Sequence, residues 1–117
     1  MANDFAKEIA RLEAGGPPRA VYALVSDEPL LVREAVAALR ALVLTSAPDF
    51  NRDEFAGGEA KAQRIVERAA SLPMMAKYRW VHVSHVHRLK AAEQAGLLPY
   101  LAKPSASTVL CLSGDKL

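Results

Sequence analysis

Cys111 is the single cysteine of the 117-residue chain, so neither a disulfide nor a thiolate metal cage can form within it. It lies in the apolar run "TVLCL", the setting of a small buried hydrophobe rather than of a reactive thiol. No charge sign dominates: 15 Lys and Arg against 13 Asp and Glu leave a net charge of +2, with both signs interspersed. That balance is too even to mark a nucleic-acid footprint. No stretch approaches the ~20 apolar residues of a membrane span, so no membrane partner is expected. The opening "MANDFAKEIARLEAGG" has neither the basic start nor the apolar run of a secretory signal, which points to a reducing cytoplasm. Internal repeats, low-complexity tracts and interdomain linkers are absent as well.

What is present suits one folded domain: 51% of residues are hydrophobic and 24% charged, enough to close a single core. Asn3 or Asp4 is placed to cap a first helix carrying Phe5, Ile9 and Leu12, and "GGPP" stops it. "AVYALV" (residues 20–25) is a continuous apolar run, as expected of a central parallel strand buried on both faces. In the next helix Pro29 stands near the first position, and Leu31, Ala35, Ala38, Leu39 and Leu42 form one apolar stripe. "DFNRDEFAGG" (49–58) holds a short polar strand suited to a sheet edge. Ala62, Ile65, Val66 and Ala69 line a third helix, which Pro73 closes off. "YRWVHVSHV" (78–86) is the third strand, and a helix from about Ala91 is expected to break or restart at Pro99. "STVLCLSG" (107–114) is the fourth strand. This alternation predicts an α/β fold, a parallel sheet covered by helices. A chain that stops just after a strand, with "SGDKL" trailing, is expected to be a truncated piece of a longer protein.

The junction "VYALVSDEPLLVREAV" (21–36) has the strand–turn–helix form on which nucleotide-binding domains hold phosphates. Such a loop needs glycines that let backbone N–H groups converge, a lysine, and a helix N-terminus. Here the turn is Ser26, Asp27, Glu28 and Pro29, with no glycine, no lysine and two acids where the phosphates would sit. The third strand ends "VHVSHVHRL", without the acid that would hold Mg²⁺. Asp27 and Glu28 therefore read as a helix cap and dipole partners. Two rival functions are a degenerate P-loop protein that still binds nucleotide and a receiver-like signalling domain. The second lacks its phospho-accepting aspartate, since Ser84 and His85 occupy that region.

His82, His85 and His87 raise the question of a metal. On a strand His85 and His87 share one face and His82 the other, with no cysteine or acid beside them, so surface or strand-end histidines are expected. Ser71, Ser84 and Cys111 sit in no nucleophile elbow. No catalytic residue, cofactor or metal ligand is expected. The remaining oddity is the loop "SLPMMAKYR" (71–79), where Met74 and Met75 follow Leu72 and Pro73. Either the methionines fold back onto the core, which composition alone favours, or they form an apolar peg for a partner's pocket with Lys77 and Arg79 as a charged rim.

Four stretches together resemble the N-terminal domain of the delta subunit of bacterial DNA polymerase III. They are "VYALVSDEPLLVREAV", "FNRDEFAGGEA", "SLPMMAKYRWVHVSHVHRL" and "YLAKPSASTVLCLSGDKL", in the family's order and over residues 20–117. The most specific pairing is the "DEPLL" turn with the Pro-apolar-apolar loop that precedes a hydrophobic strand. The resemblance implies a three-layer α/β parallel-sheet domain of the P-loop NTPase/AAA+ type, with a degenerate nucleotide site and, by analogy, strand order 1-4-3-2. Residues 1–117 would be the first domain of a longer clamp-loader subunit, with 1–19 as an N-terminal helix and connector.

In that family the delta subunit binds the ring-shaped sliding clamp and helps to open one interface, while companion subunits hydrolyse ATP. Its clamp-binding element is an apolar pair in this loop, commonly Leu-Phe or Phe-Phe, which the pattern places on Met74 and Met75, flanked by Leu72, Pro73, Lys77 and Arg79. This chain has no aromatic in the pair. The resemblance further implies contact with the other clamp-loader subunits through missing C-terminal domains, and with DNA only indirectly, as part of the polymerase III holoenzyme.

Overall fold

Each strand runs the same way because the chain returns to one end of the sheet before the next strand begins. The computed structural model describes residues 2–116, with side chains from Asp4 onward. Helix α1 (Ala2–Glu13) precedes β1 (Val21–Val25), α2 (Pro29–Val43), β2 (Arg52–Ala56), α3 (Ala62–Ala70), β3 (Arg79–Ser84), α4 (Ala91–Ala102) and β4 (Thr108–Gly114). Short 3-10 turns lie at Pro48–Phe50 and Val86–Arg88. The sheet order is β1-β4-β3-β2 and all three pairings are parallel, which is the order expected by analogy. From β1 the chain crosses the whole sheet to β2 and then steps back strand by strand. With right-handed crossovers, that reversal puts α2 on one face and α3 and α4 on the other.

Side-chain alternation then divides the core in two. Tyr22, Trp80, Val109 and Cys111 point to one face and pack on Leu12, Val36, Leu39 and Val43. Val81, Val83, Leu110 and Leu112 point to the other and meet Ala62, Ile65, Ala69, Leu97 and Tyr100. Cys111 is buried as expected, and burial pushes its thiol pKa up to about 12. At the end of β2, Gly57 donates its N–H to the Ser84 carbonyl at 2.7 Å. A Cβ there would lie 2.1 Å from the His85 carbonyl oxygen, so only glycine fits this close approach. Among the described residues no helix is long and apolar enough to cross a membrane.

Several sequence expectations are corrected. The strand β1 lies at an edge of the sheet, paired only with β4, and Ala23 is exposed. The buried stripe of α2 is Val36, Leu39 and Val43 with Val32 beside them, one residue on from the stripe expected, and Leu31 is exposed. One residue is a rotation of about 100° on a helix, which decides which face meets the sheet. Pro99 lies within a continuous α4, because Ala95, whose carbonyl loses its donor, is exposed to water. Asp4 lies in the first turn of α1 rather than at its cap, and the Asn3 side chain falls outside the described residues. Glu28 takes the N-cap position of α2 but makes no side-chain cap bond.

Helix α1 is tied to β1 through Glu8. Arg11 donates to it twice, at 3.0 and 2.7 Å, the Tyr22 hydroxyl also donates to it, and Arg19 stands 3.5 Å away. The Arg11 hydrogen bonds outweigh burial and hold the Glu8 carboxyl at about 2.

Candidate functional site

The loop between α3 and β3 presents its apolar residues to water. Leu72 is 76% exposed, Met74 54% and Met75 79%, which overturns the expectation that the methionines fold back on the core. Pro73 is partly buried and Lys77 exposed. Met75 has φ +53°, in the left-handed region that a residue with a Cβ enters at a cost of about 1–2 kcal/mol. Such a conformation persists only where the surroundings over-determine it.

Asn51 supplies that constraint. Its side chain is fully buried at the head of β2, where Oδ1 accepts the Met74 N–H at 2.7 Å and Nδ2 donates to the Met74 carbonyl at 2.8 Å. The same Nδ2 donates to the carbonyl of Ala47 at 2.9 Å, and Ala47 is itself left-handed with φ +44°. One amide thus fixes two strained corners and fastens the loop to the Pro48–Phe50 turn. Phe50, next to Asn51, is 59% exposed.

A second support comes from below the loop. Arg79 is only 3% exposed and cannot be the charged rim that the sequence suggested. Its Nη2 donates to Asp53 at 2.9 Å and its Nη1 to the Leu72 carbonyl at 3.4 Å, while Nε has no partner. Asp53 also accepts from Arg68 of α3 at 3.1 Å. The alternation of β2 and β3 explains the arrangement, since Asp53 and Arg79 point to the α3 face of neighbouring strands. Asn51 and Asp53 were missed in the sequence, where "FNRDEF" read only as an edge strand. The available signal was an amide and a carboxylate two apart, a spacing that puts both on one face of a strand.

At the carboxyl ends of the strands the turn of Ser26, Asp27, Glu28 and Pro29 offers little to a phosphate. The Ser26 N–H is bonded to the Gly114 carbonyl at 3.1 Å, the Glu28 N–H to Ser26 Oγ at 3.1 Å, and Pro29 has none. Both acids are exposed. Beside the turn is a cavity of about 560 Å³ between α2 and the strand ends, lined among others by Arg33, Arg40, Glu54, His82 and Ser113. A polar row crosses the sheet there: Glu54 Oε1 lies 2.7 Å from His82 Nδ1, and His82 Nε2 lies 2.6 Å from Ser113 Oγ. Trp80 Nε1 donates to Glu54 Oε2 at 3.2 Å.

β3 ends at Ser84, so the strand-face reading of the other two histidines does not hold. His85 is left-handed and His87 lies in a 3-10 turn, with their rings 5.9 Å apart. Among the described residues no three His, Cys, Asp or Glu side chains converge as metal ligands would.

The two tightly held carboxylates make stability pH-dependent. Burial raises the Glu54 carboxyl, but its hydrogen bonds to His82 and Arg52 and the pull of both charges bring it down to about 2. Glu8 and Glu54 both fall from an ordinary value of 4.5 to about 2, so their stabilisation is complete above 4.5 and is lost as pH falls towards 2. The Glu54 side chain is 40% exposed, so screening makes its share the smaller one. Thermal melts are expected to show Tm falling in that window, and a Glu8→Gln variant is expected to flatten the fall. An equal slope in the variant would contradict the assignment.

The family profile described as DNA polymerase III, delta subunit, matches residues 22–117. The Bacillus subtilis DNA clamp loader delta protein (YqeN) superposes with a TM-score of 0.83 at 27% identity, covering 99% of this chain and 36% of that one. A Thermotoga maritima protein related to the DNA polymerase III gamma subunit gives a TM-score of 0.76 at 15% identity, over 94% of this chain and 38% of that one. RuvB T158V from the same organism gives 0.61 at 15% identity, over 97% and 37%. The latter two likenesses concern the fold alone. The chain thus spans little more than a third of the length of these proteins. No curated protein sequence matches.

Proposed function

We propose that this chain, which belongs to the DNA polymerase III delta-subunit family, is the first domain of a clamp-loader subunit and grips a sliding clamp through Met74 and Met75. The observation that carries this reading is the pair of exposed methionines on a loop whose backbone is held from behind by a buried amide and a buried guanidinium. A peg of this kind gives up little conformational entropy on binding, because the loop is already ordered. Burying a methionine side chain contributes roughly 1.5–3 kcal/mol, less what is already covered here. Methionine also adapts to a preformed apolar pocket better than a branched side chain does.

Gripping the clamp in this way helps to open one of its interfaces, with the exposed Lys77 and the flanking Leu72 and Pro73 bordering the contact. ATP hydrolysis belongs to companion subunits, in keeping with a turn that carries two exposed acids, Asp27 and Glu28, and in which the Ser26 and Glu28 N–H groups are engaged and Pro29 has none. Those subunits are joined through domains beyond this chain, and DNA is reached only through the holoenzyme.

The test is surface plasmon resonance of this chain on the sliding clamp of its own organism, beside a Met74→Ala/Met75→Ala variant checked by circular dichroism. Each truncation is expected to weaken binding about tenfold, hence about a hundredfold for the pair. Equal binding by the two chains, or none by the unaltered chain at tens of micromolar clamp, overturns the reading.

A further inference from the structure

We infer that the clamp-contacting surface is composite, and that Phe50 is the aromatic anchor that the Met74–Met75 pair lacks; the inference rests on the reading of those methionines as clamp contacts. Phe50 is the one aromatic among the exposed large hydrophobic residues of the described chain. It belongs to neither of the two cores, so packing within the domain does not account for it. Its place is fixed by its neighbours. The Phe50 N–H closes the Pro48–Phe50 turn on the Ala47 carbonyl at 3.1 Å, and the next residue holds both polar groups of Met74.

The backbones at 50 and 74 are therefore tied together by a single buried side chain, although 23 residues separate Asn51 from Met74 in sequence. Exposed apolar residues gathered from two separate segments mark a contact surface better than a lone one does. Aromatic and methionine side chains are enriched where partners meet. Their roles here are complementary: two thioethers adapt to the pocket, and one rigid ring supplies area with few rotamers to freeze. The partner surface that fits is an apolar depression wide enough for a ring beside two methionines. On a clamp, such a depression would take the loop and the turn together.

The experiment adds Phe50→Ala to the same resonance series. Binding about tenfold weaker than that of the unaltered chain, chiefly through faster dissociation, is the expected result. Unchanged binding by Phe50→Ala, with binding lost in Met74→Ala/Met75→Ala, overturns the composite surface and leaves the methionine reading intact. Unchanged binding by both variants means that the methionine reading itself has failed. Should circular dichroism show Phe50→Ala to be misfolded, Phe50→Gln, of similar reach and suited to an exposed site, replaces it with the same two outcomes.

Discussion

Asp53→Ala is expected to lower folding stability by about 3 kcal/mol, the low end for breaking a buried ion pair, because Arg79 is buried but Asp53 is 21% exposed. Arg79 is 3% exposed and already carries an unpartnered Nε, so the loss of Asp53 leaves a guanidinium buried with only the Leu72 carbonyl for company. Arg68 loses its acceptor at the same time. For a domain of this size that is a large part of a total of roughly 5–15 kcal/mol. Urea unfolding measures it, as a drop in midpoint at unchanged slope. The decisive comparison is Asp53→Ala/Arg79→Met, which removes the charge with its partner and is expected to recover most of the loss. A double variant no more stable than the single one would show that the charge was never the problem.

Asn51→Ala is expected to lower stability by about 3 kcal/mol and to weaken clamp binding as well. Three hydrogen bonds disappear, to the Met74 N–H, the Met74 carbonyl and the Ala47 carbonyl, each bond being worth about 1 kcal/mol. The left-handed corners at Ala47 and Met75 then keep only the Phe50 N–H bond to the Ala47 carbonyl and the Arg79 bond to the Leu72 carbonyl, and the loop relaxes to a conformation less suited to entering a pocket. Amide hydrogen exchange separates this positioning role from a general loss of stability. The Met74 amide is expected to lose more protection than the amides of β3 and β4, which fall only by the global loss of stability. Asn51→Asp is expected to do no better than alanine, because it retains the acceptor but sets a carboxylate against two carbonyl oxygens. Recovery of binding in the aspartate variant would show that the two donated bonds are dispensable.

The fold was legible where one physical signal dominated. Apolar runs at β3 and β4, interrupted by proline, glycine and polar turns, could be placed nearly to the residue, and the polar character of β2 marked it as an edge. The α2 stripe was misplaced by one position because Leu31 and Val32 both begin an apolar series. Only contact with the sheet selects Val32, Val36, Leu39 and Val43. The edge position of β1 was hidden for a related reason, since a continuous apolar run reports what a strand could bury and not what lies beside it.

The site was less legible. The methionines could be singled out as unusual in a loop, but their exposure depends on Asn51 and Arg79. Arg79 finds its carboxylate 26 positions away, on a strand whose register no local pattern states. An arginine at the start of a strand looks like a surface charge until that partner is known. The resemblance to a family put weight on Met74 and Met75, yet it carried nothing about the amide that shapes them or about Phe50, the residue that precedes that amide.

The burial of Cys111 has a practical side. The only sulfhydryl of the chain lies under α2, closed off from solvent and resistant to ionisation, so thiol-directed dyes, spin labels and cross-linkers find nothing to attack in the folded protein. A cysteine placed at Lys77 would be the sole reactive handle on the surface, with no need to strip out a native one. The loop can thus carry a reporter of its own environment, and its meeting with a partner can be followed in real time on an otherwise unmodified domain.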